Sequence, residues 1–225
     1  MLIAREGIPL ILSFIVIHAI FLAGGLISNG SESWLSARFI LFALAAASAL
    51  LALFSIYFFR DPERSTPQGE KLVVSPADGR VLGLDLVEEE TFIGAPAHRV
   101  SIFMNIFNVH VNRSPIKGTV RYKEYRKGKF FNASLDKSSE QNEALSVGIE
   151  SLNREYRVLV RQIAGLIARR IVCHVGESDT LACGERFGMI RFGSRLEVYL
   201  PPGSTWRVAA GDRVKAGTSI LAELP

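Results

Sequence analysis

Two long uncharged segments occupy the beginning of the chain. Residues 7–31 and 39–59 contain no Asp, Glu, Lys or Arg, and each holds an apolar run close to the roughly 20 residues that a helix needs to cross ~30 Å of hydrocarbon. The pattern predicts two transmembrane helices, at about residues 8–27 and 38–59. The alternatives are a cleaved signal peptide and a buried helical hairpin. The first run is long for a signal peptide, and no clear cleavage site follows it before the second run.

Basic residues predict the orientation of this hairpin. The connector at residues 28–37 is short and polar, so the chain should return to the side of the membrane on which it began. Arg5 precedes the hairpin, and Arg60 and Arg64 follow it, whereas only Arg38 lies near the connector. By the positive-inside rule, both ends of the hairpin and everything after residue 60 should face the cytoplasm at the cell membrane.

After residue 60 the long apolar runs give way to short ones typical of β-strands. Leu72–Val74 leads into a turn at residues 75–79, and an apolar run resumes at Val81, which predicts a strand, a tight turn and a second strand. Residues 196–200 alternate between apolar and polar, with the period of a strand. The tail at residues 208–221 resembles the closing hairpin of biotinyl- and lipoyl-type barrel-sandwich domains, although no carrier lysine stands on a turn.

The predicted organisation is therefore a transmembrane hairpin over residues 1–59, followed by a mainly β, barrel-sandwich-like domain with few helices over residues 60–225. Within that domain the β-branched and aromatic run at residues 100–111 predicts one buried strand. Residues 127–142 are polar with little periodicity and predict a loop that is functional or mobile. Residues 156–175 fit a strand and a helix about equally well.

Composition narrows the class of partner. The formal net charge is +4, and all of it belongs to residues 60–225, because two Arg and two Glu cancel in the first 59 residues. A basic domain tethered at a membrane is drawn to anionic lipid by about 1 kcal/mol per well-placed Lys or Arg. Nucleic-acid binding is the competing explanation, but no basic helix, RNP-like aromatic pattern or zinc-finger spacing is present. Cys173 and Cys183 are predicted to be buried thiols rather than a disulfide or a metal pair, and no metal-ligand spacing is seen.

The pair Gly193-Ser194 interrupts the strand pattern near the end of the chain. One interpretation is a bulge or turn between two strands, with Ser194 as the polar residue beside it. The other is chemical: a serine hydroxyl held against the carbonyl carbon of the preceding residue can attack it and turn the amide into an ester, provided that a base takes the proton. Glycine at the preceding position would leave the path clear and tolerate unusual dihedral angles.

Two further residues are candidates for activating Ser194. His110 could take the hydroxyl proton if Asp78 fixed its tautomer and stabilised the imidazolium, as in triads recognised by geometry rather than by order in the chain. Taken alone, His110 is equally well explained as a structural histidine at a strand end. The residues themselves leave both interpretations open.

Five motifs, in this order along nearly the whole chain, resemble the short bacterial and archaeal type of phosphatidylserine decarboxylase: FRDPER (59–64), VSPADG (74–79), FNVHVNR (107–113), QIAGLIARR (162–170) and GERFGMIRFGSR (184–195). The resemblance implies a self-processing proenzyme. Ser194 would attack the Gly193 carbonyl, giving a β chain of residues 1–193 that stays associated with an α chain of residues 194–225. In the family, residues at the positions of Asp78 and His110 assist this maturation.

The resemblance also implies the cofactor and the reaction. Ser194 would become a covalent pyruvoyl group, which forms a Schiff base with the substrate amine and accepts the electrons released with CO2. Phosphatidylserine would be decarboxylated to phosphatidylethanolamine during membrane phospholipid biosynthesis. The alternative from another class is a non-catalytic, membrane-tethered barrel-sandwich domain that binds a partner or lipid.

One departure from the family concerns the proton donor in decarboxylation. Longer members carry a second histidine three residues before the first, where this chain has Phe107. Four basic residues are candidates for binding the lipid headgroup, although each can equally be a solvated surface charge: Arg113, Lys117, Lys127 and Lys129. The sequence leaves open the oligomeric state, the route of lipid entry, the role of residues 127–142, and whether the lipid is ester-linked or the ether-linked archaetidylserine.

Overall fold

The structure is a computed structural model that describes residues 2–28, 32–135, 138–166, 170–191 and 193–225. The chain forms two compact units, Met1–Glu63 and Arg64–Pro225. Strands make up 39% of the chain and helices 23%. The sequence predicted an N-terminal helix pair followed along the chain by a mainly β domain with few helices, and this prediction is confirmed.

The first unit is an antiparallel helix pair. Helix α1 spans Ile8–Ile27 and helix α2 spans Glu32–Phe58, so α2 starts before the predicted residue 38. The short strands β1 (Leu2–Ile3) and β2 (Arg60–Asp61) pair beside the two helix ends. The apolar stretches Arg5–Ile27 and Ala37–Phe58 are long enough to cross a membrane.

Two contacts join the helices within their apolar stretches. The Nδ1 atom of His18 lies 2.8 Å from the carbonyl oxygen of Ala45, which gives this polar ring a partner away from water. A Cβ atom on Gly25 would lie 2.8 Å from the ring of Phe42, so a glycine is needed where the aromatic ring packs against α1. The sequence thus provides both a polar and a steric reason for the pairing.

The second unit is built from antiparallel strands. Their bounds are β3 (Leu72–Val74), β4 (Gly79–Glu89), β5 (Ala95–Met104), β6 (Val111–Arg113), β7 (Gly118–Arg126), β8 (Ala144–Ser151), β9 (Arg157–Ile163), β10 (Ile171–Cys173), β11 (Thr180–Leu181), β12 (Arg186–Ile190), β13 (Ser194–Leu200), β14 (Thr205–Trp206), β15 (Arg213–Val214) and β16 (Ile220–Glu223). Eight of them form one curled, half-barrel sheet in the order β11-β7-β8-β9-β13-β5-β4-β15. Two three-stranded sheets, β10-β12-β6 and β14-β16-β3, complete the described part of the unit.

Strand β13 lies in the middle of the large sheet, between β9 and β5. Leu196, Val198 and Leu200 point to the main hydrophobic core. Arg195 and Glu197 alternate with them and form an ion pair on the opposite face. The predicted alternation is therefore correct, but both faces of β13 are buried.

The prediction of one strand over residues 100–111 was wrong. Strand β5 ends at Met104 and β6 begins at Val111, with a turn between them. Two asparagines close this turn: the side chain of Asn108 accepts a hydrogen bond from the backbone of Asn105, and the side chain of Asn105 accepts one from Phe107. Asn side chains that bond to nearby backbone in this way favour turns over strands, so they override the apolar run around them.

The two segments that the sequence left undecided have different outcomes. Residues 156–175 contain β9 and β10, while residues 167–169 lie outside the described part. The polar segment after β7 carries a short helix, α3 (Ser138–Gln141). The hydroxyl of Ser139 donates a 2.6 Å hydrogen bond to Glu197, so this segment covers the outer face of β13.

Cys173 and Cys183 are both free thiols, and burial raises the pKa of Cys183 to about 11.

Candidate active site

Ser194 is the first residue of the central strand β13 and is completely buried. It pairs with Met104, the last residue of β5, and its Oγ lies 3.5 Å from the Met104 sulfur. A sulfur atom is only a weak hydrogen-bond acceptor, so this contact leaves the hydroxyl oxygen available for chemistry. Ser194 therefore combines a fixed backbone with a loosely held nucleophilic group.

The peptide bond before Ser194 has an unusual environment. Gly193 has a φ of +60°, in the left-handed region that glycine adopts without the steric cost paid by other residues. Its carbonyl oxygen packs directly against Gly165, where a Cβ atom would lie only 1.9 Å from that oxygen. Phe192, the residue before Gly193, lies outside the described residues. The predicted glycine at the scissile position is thus explained by backbone geometry.

His110 lies immediately before β6 and is completely buried. Its Nδ1 atom is 2.9 Å from the carbonyl oxygen of Asn108. Because a carbonyl can only accept, Nδ1 carries the hydrogen and Nε2 carries the lone pair of the neutral ring. The Asn108 carbonyl therefore provides the tautomer control that the sequence analysis assigned to Asp78.

Asp78 lies in the turn between β3 and β4, where its carboxylate is held by Arg64 and by a backbone amide. Arg64 binds both carboxylate oxygens, with Nη2 at 2.9 Å from Oδ2, and also donates to the carbonyl of Ala216. The amide of Ala216 donates to Oδ1 at 2.8 Å. This bidentate, charge-assisted arrangement fixes the turn firmly.

Ser194 begins strand β13, while Asp78 and His110 lie in the turns that precede β4 and β6. Strand β4 begins just after Asp78 and pairs with the end of β5, where Met104 contacts Ser194. The same Met104 sulfur lies 3.9 Å from Nδ2 of Asn112, which is two residues after His110. Met104 therefore contacts both Ser194, the candidate nucleophile, and Asn112 in β6, the strand that begins directly after His110.

A buried amide pair lies beside these residues and was not predicted to be part of the site. Nε2 of Gln162 donates a 2.8 Å hydrogen bond to Oδ1 of Asn112, and both residues are completely buried. Within the described ranges, Oε1 of Gln162 has no hydrogen-bond partner, which is unusual for a buried polar atom. The available signal was the two-residue period of the strand, which puts Gln162 on the same face as Val158 and Val160, both in the main core.

The basic candidates for headgroup binding do not lie together. Lys127 and Lys129 are exposed on the segment that follows β7, at the end of the sheet that carries Ser194. Lys117 precedes β7 at the other end, where it lines a cleft of about 540 Å³. Arg113 is 5% exposed and donates to the carbonyl of Gly184. The structure thus brings only two of the four to the exposed surface near Ser194.

On the outer face of the sheet, the residues after Ser194 form a buried polar network. Nε of Arg195 is 3.0 Å from Glu197, and Nη2 of Arg195 donates to Ser101. Tyr199 donates to the same Glu197 carboxylate at 2.7 Å. Burial and the negative charge of Glu197 raise the pKa of Tyr199, so it remains a neutral donor. This network fixes the start of β13 from the side opposite to Ser194.

The arrangement provides a hydroxyl, an imidazole in the loop before β6 and a carbonyl whose position is set by close packing. These are the components needed for attack of a serine on the peptide bond before it. Among the described His, Cys, Asp and Glu residues, no group of three is placed to hold a metal ion. The outer-face network holds the strand that would carry the new chain end.

Comparisons with known proteins give a consistent result. Residues 51–222 match the sequence model of the family described as phosphatidylserine decarboxylase. The chain is 47% identical over 221 residues to the phosphatidylserine decarboxylase proenzyme of Syntrophus aciditrophicus, covering 97% of this chain and 96% of the relative. It is 46% identical over 224 residues to the protein of the same name from Aromatoleum aromaticum, covering 100% of this chain and 96% of the relative.

Proposed function

Because this chain belongs to the phosphatidylserine decarboxylase family, we propose that it is a proenzyme that cleaves itself between Gly193 and Ser194 and then decarboxylates phosphatidylserine to phosphatidylethanolamine and CO2. The observation that carries this proposal is the identity of 46% to 47% over almost the whole chain to two proteins named as that proenzyme. The pair of Gly193 and the completely buried Ser194 gives the proposal its chemical centre.

Self-cleavage begins with attack of Ser194 Oγ on the carbonyl carbon of Gly193. His110 Nε2 takes the hydroxyl proton and returns a proton to the Ser194 nitrogen as the C–N bond breaks, which leaves an ester between Gly193 and Ser194 Oγ. Loss of the Ser194 α proton then expels the Gly193 carboxylate and leaves dehydroalanine. The dehydroalanine enamine tautomerises to an imine, and water hydrolyses the imine, which releases ammonia and leaves a pyruvoyl group at position 194.

A pyruvoyl group fits position 194. It is small, flat and uncharged, and it would occupy the buried space beside Met104 that the serine side chain occupies. A pyruvoyl group supplies the electron sink for the bond that breaks when an amino acid loses CO2. The backbone of Arg195 pairs with β5 and β9 and would hold the new chain end in place.

Asp78 is proposed to support maturation by position rather than by proton transfer. Its carboxylate is bound by Arg64 and by the Ala216 amide, while the tautomer of His110 is set by Asn108. Asp78 therefore fixes the β3–β4 turn against the β15–β16 connection.

The substrate is proposed to be recognised at a membrane surface. Lys127 and Lys129 are exposed at the Ser194 end of the sheet and would attract the phosphate of an anionic headgroup. The two apolar helices would anchor the chain in the bilayer. The distribution of Arg5, Arg60 and Arg64 supports a location of the second unit on the cytoplasmic side of the cell membrane.

The proposal is tested with the full-length chain purified in detergent. Intact mass should show two fragments, residues 1–193 and residues 194–225 with a pyruvoyl terminus, and the preparation should release CO2 from phosphatidylserine in mixed micelles. Ser194→Ala should remain a single chain without activity. A wild-type preparation that decarboxylates phosphatidylserine as one uncleaved chain would overturn the proposal.

A further inference from the structure

Gly165 makes the closest contact that any described glycine makes with the candidate scissile bond. A Cβ atom at position 165 would lie 1.9 Å from the Gly193 oxygen and 3.1 Å from the Gly193 carbonyl carbon. Real Cβ contacts essentially never fall below 3.0 Å. Any side chain at position 165 would therefore push the Gly193 carbonyl away by more than about 1 Å. Glycine is needed at position 165 because the Gly193 carbonyl oxygen fills the space that a Cβ atom would take.

The segment that carries Gly165 is fixed from the other side by Asn142. Nδ2 of Asn142 donates to the carbonyl of Ala164 at 2.7 Å, and the backbone amide of Ala164 donates to Glu143 at 2.9 Å. Asn142 is completely buried. The residue immediately before Gly165 is thus tied to the segment that follows α3.

The side chain of Asn142 also links two parts of the polar segment between β7 and β8. Its Oδ1 accepts from the amide of Phe131 at 2.9 Å, and its Nδ2 also donates to the carbonyl of Phe131 at 2.8 Å. Ala133, from the same segment, would lie 3.3 Å from a Cβ atom on Gly165. The side chain of Asn142 therefore connects Phe131, Ala164 and the end of the segment in one rigid corner.

We propose that this corner, formed by Asn142, Ala164 and Gly165, is a carbonyl seat that positions the Gly193–Ser194 bond for self-cleavage. The inference rests on the self-cleavage proposed above and adds residues to it. The Gly193 oxygen packs against Gly165 on the side where other residues carry a Cβ atom. The hydrogen bond from Asn142 to Ala164 holds the segment that carries Gly165 in place. The described residues of the segment, 127–135 and 138–142, thereby have a role, because they support the seat from the side opposite to Gly193.

The seat acts on the first chemical step. For Ser194 Oγ to form a bond with the Gly193 carbon, the carbonyl must present its face to the hydroxyl at a fixed angle. Contact with Gly165 limits rotation of the peptide group, and the left-handed φ of Gly193 sets the direction from which it enters. Once elimination has broken the ester, the oxygen belongs to the departed Gly193 carboxylate, so the seat has no required part in later turnover.

The test compares the full-length wild type with Gly165→Ala, both expressed rapidly and followed by denaturing electrophoresis. A displacement of about 1 Å at a reacting bond is expected to slow cleavage by roughly 100-fold. Gly118→Ala is the matched control, because a Cβ atom there would lie 2.3 Å from the Glu150 carbonyl oxygen at the opposite end of the sheet. Gly118→Ala should mature at the wild-type rate, whatever it does to the melting temperature.

Hydroxylamine identifies the step that is slowed. Hydroxylamine cleaves esters but not peptide bonds under mild conditions, so in the wild type it should divert the ester and yield an α chain that begins with unmodified serine. In Gly165→Ala both this product and the pyruvoyl chain should form slowly. Rapid cleavage of Gly165→Ala by hydroxylamine would mean that the ester forms normally, and would overturn the proposal, as would maturation at the wild-type rate.

Asn142→Asp provides a second route to the same conclusion. It keeps the size of the side chain but replaces the donor to Ala164 with an acceptor, and it should slow ester formation in the same hydroxylamine assay. If Gly165→Ala lacks a cooperative melting transition, it is not folded, and Asn142→Asp is then the variant that tests the carbonyl seat. A folded Asn142→Asp that matures normally would refute the role of Asn142. Absence of cleavage in the wild type would instead refute the proposed function itself.

Discussion

The carbonyl oxygen of Asn108 lies 2.9 Å from Nδ1 of His110, two residues later in the chain. This short-range bond orients the imidazole from within its own loop. It also determines which ring nitrogen can act as a base, because the nitrogen that bonds a carbonyl must carry the hydrogen. The turn that interrupts the predicted strand at residues 105–108 is therefore part of the catalytic arrangement that we propose.

Replacing His110 should slow self-cleavage. His110→Ala removes the proposed base, and loss of a general base typically costs 10²- to 10⁴-fold in rate. Cleavage is measured as the appearance of the short α chain over time. His98→Ala is the matched control, because His98 pairs with Leu200 at the far end of β13 and should not affect maturation. Cleavage of His110→Ala at the wild-type rate would exclude His110 as the base.

Breaking the ion pair between Arg64 and Asp78 should destabilise the second unit. The two side chains are only 9% and 11% exposed, and removing one partner of a buried pair typically costs about 3–5 kcal/mol. Asp78→Asn and Arg64→Gln should both lower the melting temperature and slow maturation, and the double variant should be less affected than the sum of the two. If Asp78→Asn slowed cleavage while Arg64→Gln did not, Asp78 would act on the chemistry directly.

The exposed pair Arg207–Glu223 provides a control for this experiment. Its side chains are 58% and 40% exposed, and exposed pairs contribute at most about 1 kcal/mol. Arg207→Gln should therefore change the melting temperature only slightly. A loss equal to that of Arg64→Gln would show that burial is not what makes the Arg64–Asp78 pair important.

Stability should fall in acid partly because of Glu89. Burial alone would raise the pKa of Glu89, but hydrogen bonds from Thr91, Phe92 and Ile93 outweigh it and lower the pKa. A carboxylate with a lowered folded pKa adds stability above its unfolded pKa of about 4.3 and loses it as the pH falls through the folded value. Glu89→Gln should therefore melt below the wild type at neutral pH, and the difference should shrink below about pH 4.

The exposed neighbour Glu90 provides the comparison for the acid experiment. Glu90→Gln should melt close to the wild type at every pH. The measurement is thermal unfolding of the detergent-solubilised protein across a series of buffers from neutral to acidic. A constant difference between Glu89→Gln and the wild type over that range would contradict the assignment of the acid sensitivity to Glu89.

Lys129 should contribute to substrate binding, whereas Lys117 should not. Removing one well-placed cation from a membrane-facing site costs about 1 kcal/mol, which corresponds to a rise of about fivefold in the apparent KM for phosphatidylserine in anionic vesicles. Lys129→Ala should show this rise with a nearly unchanged kcat, and Lys117→Ala should match the wild type. An equal effect of both substitutions would indicate a general charge effect rather than a headgroup site.

The helix pair was predictable because it depends on long uncharged apolar runs, and the alternation in β13 because it follows the two-residue period of a strand. The turn before β4 was predicted correctly from its turn-forming residues. The turn at residues 105–108 was missed because side-chain bonds of two asparagines override local apolar preference. Such bonds depend on the turn having formed, so composition alone gives little indication of them.

The contacts that position the site could not be predicted from the chain alone. Gly165 lies close to Gly193 only because β9 and β13 are neighbours in the sheet, and the sequence separates the two glycines by many residues. The same holds for Gln162 and Asn112, whose amides meet across two sheets. Sequence motifs identified candidate site residues, whereas the contacts between them depended on strand order.

The central position of β13 has a consequence for how the protein folds before and after cleavage. In the proposed mature enzyme this strand belongs to the short chain, yet it is hydrogen-bonded on both edges by strands of the long one. The pairing forms while the two chains are still one polypeptide, so it carries no cost for bringing two molecules together. Denatured mature protein should therefore regain its native form poorly, and separately synthesised halves should complement each other only weakly. The cut turns a folding step within one chain into an association of two.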